Sequence, residues 1–300
     1  MHLPSLRQLQ FLLAIAERGS FSAAADHMAV TQPTLSAAIR ELEDNLGVQL
    51  LERGRSGASL TAAGEIVATR AARVISEAQD LVQAARGAGE PLSGLFRLGA
   101  IPTIAPFLLP RVLPVLRERF PDLRLYLRED LTGRLLDALR GRSLDAALIA
   151  LPYDAAGVET LVLAEDEFLL ITPEGHPLMA TGQVQPAALT GQDLLLLEDG
   201  HCLRDHSLSV CGGVGSVRTT EMGATSLHTL VQMVAGGMGV SLLPRIAADA
   251  GITDGTRVAV TPFAEPLIGR SIGLAWRKGS ARAAEVRLIG EVLQTAFQRA

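Results

Sequence analysis

Residues 19–53 read GSFSAAADHMAVTQPTLSAAIRELEDNLGVQLLER. Gly19 stops a preceding helix, because residues 5–18 (SLRQLQFLLAIAER) place Leu6, Leu9, Phe11, Leu12, Leu13, Ile15 and Ala16 at helical spacing. Ser20 or Ser22 can cap a second, short helix through Met28. Thr31 is a good N-cap for a third, with Pro33 in the first turn, where its missing N–H costs nothing. That helix runs to about Asn45 and Gly47 ends it. A short helix, a tight turn and a third helix whose first turn shows Thr31, Gln32, Thr34 and Ser36 is the layout of a helix-turn-helix, in which the start of the last helix faces base edges.

The chain continues with VQLLERGRSGASLTAAG (48–64), two strand-like runs around a turn holding Arg53, Gly54 and Arg55. This reads as a wing. No acidic residue occurs from Arg53 to Gly64, whereas residues 1–90 as a whole carry eight arginines against ten acids. The formal net charge of the chain is −5, which argues against a wholly basic nucleic-acid coat. Phosphate contacts are therefore expected at the local basic edge. Of the 27 basic residues only Lys278 is a lysine, a compositional bias, although the planar guanidinium suits phosphate and guanine.

Residues 19–53 together with LTAAGE (60–65) resemble, without a gap, the winged helix-turn-helix of the LysR-type transcriptional regulators. The resemblance implies that Thr31, Gln32, Pro33, Thr34, Ser36 and Arg40 lie at or near the groove of double-stranded promoter DNA, with Arg53 and Arg55 on the wing. The expected DNA-binding domain is residues 1–60. A helix capped by Thr61 then continues to about Arg86, with Val67, Ala71, Val74, Ala78, Leu81 and Ala85 spaced as a coiled-coil seam. Self-association is expected there, because the stripe would otherwise stay exposed. A linker at Gly87–Pro91 closes this second segment, residues 61–91.

From Leu92 the period changes. Strand-like runs at 95–101, 123–128, 144–151 and 167–173 alternate at first with helical stretches at 104–119 and 132–142, a pattern that predicts a mostly parallel sheet with helices on its faces. A second set follows, with strands at 194–199, 239–244 and 256–260 and a helix at 225–235, before GRSIGLAWR (269–277) returns as a strand and residues 280–299 form a last helix. The predicted fold is an α/β effector domain, residues 92–300, of two lobes: about 92–165 with 266–300, and about 166–265. A cleft between lobes is the usual site of a small ligand, and the family resemblance implies a fold like that of periplasmic binding proteins. No phosphate loop, nucleophile elbow or H-E-x-x-H motif occurs. Gly236–Gly239 sits between a helix and a strand and is read as a tight connection.

Residues 200–211, GHCLRDHSLSVC, hold both cysteines of the 300-residue chain. A thiol becomes reactive by losing its proton, and His201, Arg204 and His206 are groups that favour a thiolate when close, so Cys202 is the better candidate for a reactive sulfur. If the stretch is helical, the two α-carbons stand roughly 13 Å apart along the axis and on opposite faces, whereas a disulfide needs them within about 7 Å. A bond between them would require local refolding. On the residues alone three readings stand: two reduced, buried thiols, a redox pair, and a zinc site from His201, Cys202, His206 and Cys211. The last is weakened by strained His-Cys neighbours and the lack of a C-x2-C knuckle.

LLLLEDGHCLRD with a cysteine nine residues on resembles the peroxide-sensing OxyR subfamily of these regulators, as do IPT (101–103), FLLPRVLPVL, LTGRLLDAL and TSLHTLVQMVAGGMGVSLLP in order along the chain. The resemblance implies that hydrogen peroxide oxidises Cys202 to a sulfenic acid, which condenses with Cys211. It implies a polar peroxide pocket of Thr103, Thr132, His201, Arg204, Asp205 and Arg270, whose threonine hydroxyls and arginine hold the oxygen that gains charge, while Asp205 orients Arg204 or His201. His206 stands where an uncharged amide is expected and is read as solvent-exposed. Further implications are a homotetramer (a dimer of dimers), RNA polymerase as partner, glutaredoxin or thioredoxin as reductant, neither cofactor nor metal, and no enzymatic turnover. The cytoplasm is the expected location, since no apolar run reaches the ~18 residues of a membrane span and the start MHLPSLRQLQ lacks a signal-peptide layout. Two rivals are kept: a regulator sensing a metabolite in the cleft, and a thiol peroxidase.

Overall fold

A computed structural model describes the chain except residues 1–2, 55–56, 87–90, 154–155, 212–217, 266–267 and 299–300. It divides into two compact units, Met1–Gly89 with Gly141–Ser143, and Glu90–Arg140 with Leu144–Ala300. Among the described residues no helix is long and apolar enough to cross a membrane.

The first unit begins with α1 (Leu6–Arg18), α2 (Phe21–His27) and α3 (Gln32–Leu46). Each start has a local cause. Ser5 and Gln8 form a reciprocal capping box on α1, Ser20 accepts from the Ala23 N–H on α2, and Thr31 accepts from the Thr34 N–H on α3. Gly19 and Gly47 end α1 and α3 in the left-handed region, at φ 68° and 66°. The apolar faces close over Phe11, Leu12, Ile15, Leu35, Ile39 and Leu42, all buried. The hairpin of β1 (Leu51–Gly54) and β2 (Gly57–Leu60) is the wing, and its Ala58 N–H donates to the Gly19 carbonyl at 2.8 Å.

Helix α4 (Ala62–Arg86) starts where the Thr61 hydroxyl accepts from the Gly64 N–H at 3.0 Å. Its expected seam divides. Ala68 and Ala71 are buried and Val67 and Ile75 pack on the core of the same unit, whereas Ile66, Val74, Leu81 and Val82 are exposed. The stripe thus serves the chain's own three-helix core over its first turns and is open beyond them.

In the second unit β3 (Gly94–Ala100), α5 (Ala105–Arg119), β4 (Leu123–Glu129), α6 (Thr132–Arg140) and β5 (Ala146–Leu151) form the expected alternation, with β3 parallel to both β4 and β5. Every residue of β5 is buried, as a strand covered on both faces requires. The next strand is longer than its sequence signal: β6 covers Val158–Pro173, not only 167–173. Its first part pairs with β11 (Gly269–Arg277), and its last part with β9 (Ser241–Pro244) and β10 (Val258–Pro262). These pairings, and that of β11 with β5, are antiparallel. The expected mostly parallel sheet is therefore mixed, because β6 and β11 return the chain between lobes instead of following a helix crossover.

Beyond β6 lie β7 (Asp193–Leu197), α7 (Cys202–Cys211), β8 (Arg218–Ala224), α8 (Leu227–Ala235) and α9 (Arg245–Asp249), with β7 parallel to β8. Strand β8 carries no strong alternating pattern and was not expected from sequence. The last helix, α10 (Ala283–Gln298), packs on α5, β6 and β11. Burying its Val286, Ile289, Val292 and Leu293 contributes roughly 1.5–3 kcal/mol per side chain relative to exposure.

Candidate functional site

Asp166 on β6 and Arg270 on β11 are direct partners in the sheet register, at the place where β6 passes from pairing with β11 to pairing with β9 and β10. Their side chains are fully enclosed, with the guanidinium Nε 2.9 Å from the Asp166 Oδ2. The other Asp166 oxygen accepts from the Ile246 N–H at the start of α9, at 3.0 Å. Each of the other two nitrogens of Arg270 also donates to Thr103, Nη1 to the hydroxyl at 2.8 Å and Nη2 to the carbonyl at 3.0 Å. A buried charge needs such full partnering to be tolerated. Thr103 lies just after β3, so one arginine ties together three separate parts of the unit.

Thr132 opens α6 and is buried, and its hydroxyl has no hydrogen-bond partner. An enclosed hydroxyl without a partner costs about 1–3 kcal/mol, so this oxygen is suited to a polar guest. Asp130 helps set the helix start by accepting from the Leu131 N–H at 2.9 Å. Burial pushes the Asp130 carboxyl up, but Arg128, the Leu131 N–H and Arg134 together hold it below the usual carboxylate range.

Cys202 is the first residue of α7, buried, and packed in the core of this unit. The start of α7 lies beside the start of α6: a side chain added at Gly200, whose φ is 93°, would meet a methyl of Leu131 at 3.0 Å. Cys211 is the last residue of α7, and its side chain lies outside the described residues. Because the stretch is helical throughout, the two α-carbons are separated by roughly 13 Å along the axis and face opposite ways.

Arg204 turns back to donate to the Leu197 carbonyl at 3.2 Å and pairs with Asp199 through Nε at 2.9 Å. The expectation that Asp205 orients Arg204 or His201 is corrected here: Asp205 is exposed, and Asp199 takes the arginine. For Arg204 the reason is helical geometry, since adjacent residues on a helix point about 100° apart. Burial lowers the basicity of His201, with Glu198 opposing it.

His206 corrects a second expectation. It is half-buried and not solvent-exposed. Its Nδ1 is enclosed without a hydrogen-bond partner, and the Pro152 carbonyl favours a proton on the ring. Burial and then the Arg270 charge lower its basicity, while Asp205 and the Pro152 carbonyl work the other way. His206 thus lies within electrostatic reach of Arg270, a placement that its side-chain type alone did not signal.

In the first unit Thr31, Gln32, Pro33, Thr34 and Arg40 form an exposed row at and beyond the start of α3. Ser36 departs from that row. It is 9 % exposed and belongs to the buried face that carries Leu35 and Ile39. Arg55 and the side chain of Arg53 lie outside the described residues. Among the described residues no group of three or more His, Cys, Asp or Glu side chains could hold a metal ion.

Residues 6–65 match the family described as "Bacterial regulatory helix-turn-helix protein, lysR family", and residues 89–298 match "LysR substrate binding domain". The chain is 44 % identical over 298 residues to a probable hydrogen peroxide-inducible genes activator of Streptomyces viridosporus, covering 98 % of this chain and 95 % of that protein. It is 40 % identical over 291 residues to the DNA-binding transcriptional dual regulator OxyR of Escherichia coli, covering 97 % and 95 %. Among solved structures, a full-length OxyR variant from Pseudomonas aeruginosa is similar with a TM-score of 0.80 at 34 % identity, covering 98 % of this chain and 96 % of that one. A peroxide-bound OxyR variant of Corynebacterium glutamicum is similar with a TM-score of 0.68 at 36 % identity, covering 100 % and 96 %.

Proposed function

The chain belongs to the LysR family of transcriptional regulators and is closely related to OxyR, and on that premise we propose that it is a hydrogen-peroxide-sensing DNA-binding regulator rather than an enzyme. The observation that carries this reading is Cys202: a buried sulfur at the start of α7, which begins next to the start of α6, where the enclosed Thr132 hydroxyl has no partner. Peroxide oxidises Cys202 to a sulfenic acid, and Cys211 attacks that sulfur, expelling water and closing a disulfide. The distance along α7 supports a refolding step between the two events.

Thr103, Thr132, His201 and Arg270 are proposed to hold the peroxide, and Arg204 to brace the segment through Asp199. Asp205, being exposed, is left out of this set. Residues 1–60 would bind promoter DNA through Thr31, Gln32, Pro33, Thr34 and Arg40, with Arg53 and Arg55 on the wing. Residues 61–91 would join two copies along the exposed stretch of α4, and residues 92–300 would sense. A tetramer that respaces its DNA-binding domains would then act on RNA polymerase, with glutaredoxin or thioredoxin as the resetting reductant.

A free-thiol count by mass spectrometry before and after one equivalent of peroxide tests the reading. Loss of both thiols in the wild type, with Cys211 untouched in Cys202→Ser, is the expected result. Survival of both thiols in the wild type sinks it and turns attention to a small effector between the lobes. Sustained turnover of excess peroxide with a reductant present would instead favour a thiol peroxidase.

A further inference from the structure

We propose that His206 is the residue that takes the proton from Cys202 during peroxide attack and returns it to the departing oxygen. The proposal rests on the peroxide-sensing reading above and adds a proton path to it. His206 follows Cys202 by one helical turn, so the two residues share a face of α7. The Pro152 carbonyl favours a proton on the ring, and with Nδ1 unpartnered the proton of the neutral ring is assigned to Nε2. That leaves Nδ1 as a bare acceptor, enclosed and unpartnered within the site. A buried acceptor with no donor is an unmet demand for a proton or for a polar guest.

The charged surroundings keep that acceptor available. Burial first and then the charge of Arg270 on β11 disfavour a positive charge on the ring, while the exposed Asp205 on α7 and the Pro152 carbonyl work the other way. Asp166, which could have favoured the imidazolium, is already committed to Arg270 and to the Ile246 N–H. Burial adds to the effect of Arg270, so the imidazole is neutral at ordinary pH. A neutral imidazole can accept a proton near pH 7, and a carboxamide at the same position cannot.

The step balances as follows. The Cys202 S–H proton passes to Nδ1 through the bound peroxide, which gives up one of its own protons to the ring as it takes the sulfur's. The sulfur lone pair attacks the nearer peroxide oxygen, an S–O bond forms and the O–O bond breaks. The departing oxygen leaves with the bonding pair and takes the proton back from Nδ1–H as water. Sulfur loses two electrons, peroxide gains them, and the products are Cys202 sulfenic acid, one water and neutral His206.

The test is the rate of Cys202 oxidation by hydrogen peroxide in the full-length protein, followed by quenched-flow mass spectrometry from pH 5.5 to 8.5, in the wild type, His206→Gln and His206→Ala. The wild-type rate should be nearly flat above about pH 6.5 and fall below it as the imidazole is protonated. In His206→Gln the rate at pH 7 should fall about 100-fold and rise steadily with pH, because hydroxide then removes the sulfur proton. Added imidazole should restore His206→Ala in part. Equal rates and equal pH profiles in the three proteins overturn the proposal. So does a slowed variant that keeps the wild-type profile and is not rescued by imidazole, since that marks a packing role. A wild type whose Cys202 does not react with peroxide at all defeats the functional reading itself, and the proton path with it.

Discussion

Arg270 and Asp166 stand directly opposite one another on β11 and β6, with side chains that water does not reach and an Nε to Oδ2 distance of 2.9 Å. The pair sits where the chain crosses between lobes, and it holds Thr103 and the start of α9 as well. Removing one member strands the other as a buried charge. Asp166→Leu alone and Arg270→Met alone should therefore each destabilise the protein by about 3–5 kcal/mol. Replacing both by Asp166→Leu and Arg270→Met should cost much less than the sum of the single changes. Urea unfolding of the four proteins checks this, and additive losses would show that the pair is not coupled.

Closing a disulfide between the two ends of α7 requires the helix to open. Amide hydrogen exchange over residues 203–210 should accelerate by about tenfold or more on peroxide treatment of the wild type, since a segment forced out of its helix loses its backbone hydrogen bonds. Cys202→Ser treated in the same way should keep the slow exchange. Unchanged exchange in an oxidised wild type would mean that another segment moves.

His201 and His206 both bind their proton less readily in the folded protein than at the ordinary value of 6.5, in each case first because of burial. Between the lowered values and 6.5 the unfolded chain therefore binds more protons than the folded one. Stability from these groups is fully present above pH 6.5 and is lost as the pH falls through the lowered values. Unfolding midpoints measured from pH 7.5 down to pH 5 should decline in the wild type. The decline should be shallower when both histidines are changed to glutamine, and equal slopes would contradict the burial of the two rings.

The start of α3 separates folding from DNA binding. Thr31 caps the helix, accepting the Thr34 N–H at 3.4 Å, so Thr31→Ala should cost about 1 kcal/mol of stability. Arg40 is exposed. Its replacement by alanine should leave the melting temperature unchanged, weaken binding to duplex DNA and reduce the slope of log affinity against log salt by about 0.9 if it meets one phosphate. A melting temperature that falls with Arg40→Ala would move this residue from the DNA interface to the fold.

The start signals of the first unit were legible because they are local. Ser20, Thr31 and Gly47 each act within one turn of their own position, and the helices begin and end at them. Ser36 was misread because its polarity suggests a surface, whereas its place in the helical period puts it with Leu35 and Ile39. In the second unit the strands were visible as apolar runs, but the direction of β11 beside β5 is decided by pairing across the sheet, which no local window records. The residues gathered around Arg270 show the same limit. Its bond to Thr103 spans 167 positions of sequence and its bond to Asp166 spans 104, so Asp166 carried no sign of its role. Asp199 was overlooked for the opposite reason: Asp205 lies next to Arg204 in sequence, and adjacency on a helix is not contact.

A helix with a cysteine at each end also acts as a clock. Under the proposed function, the sulfenic acid on Cys202 would have to wait for α7 to open before Cys211 could reach it, and during that wait a second peroxide would carry the sulfur on to the sulfinic acid, from which a disulfide no longer forms. Low doses arrive slowly compared with the opening of one short helix and end in the reversible bond. High doses would outrun it and end in a dead sensor. The stability of ten residues of helix, from Cys202 to Cys211, would then set the upper limit of oxidant that the regulator can report.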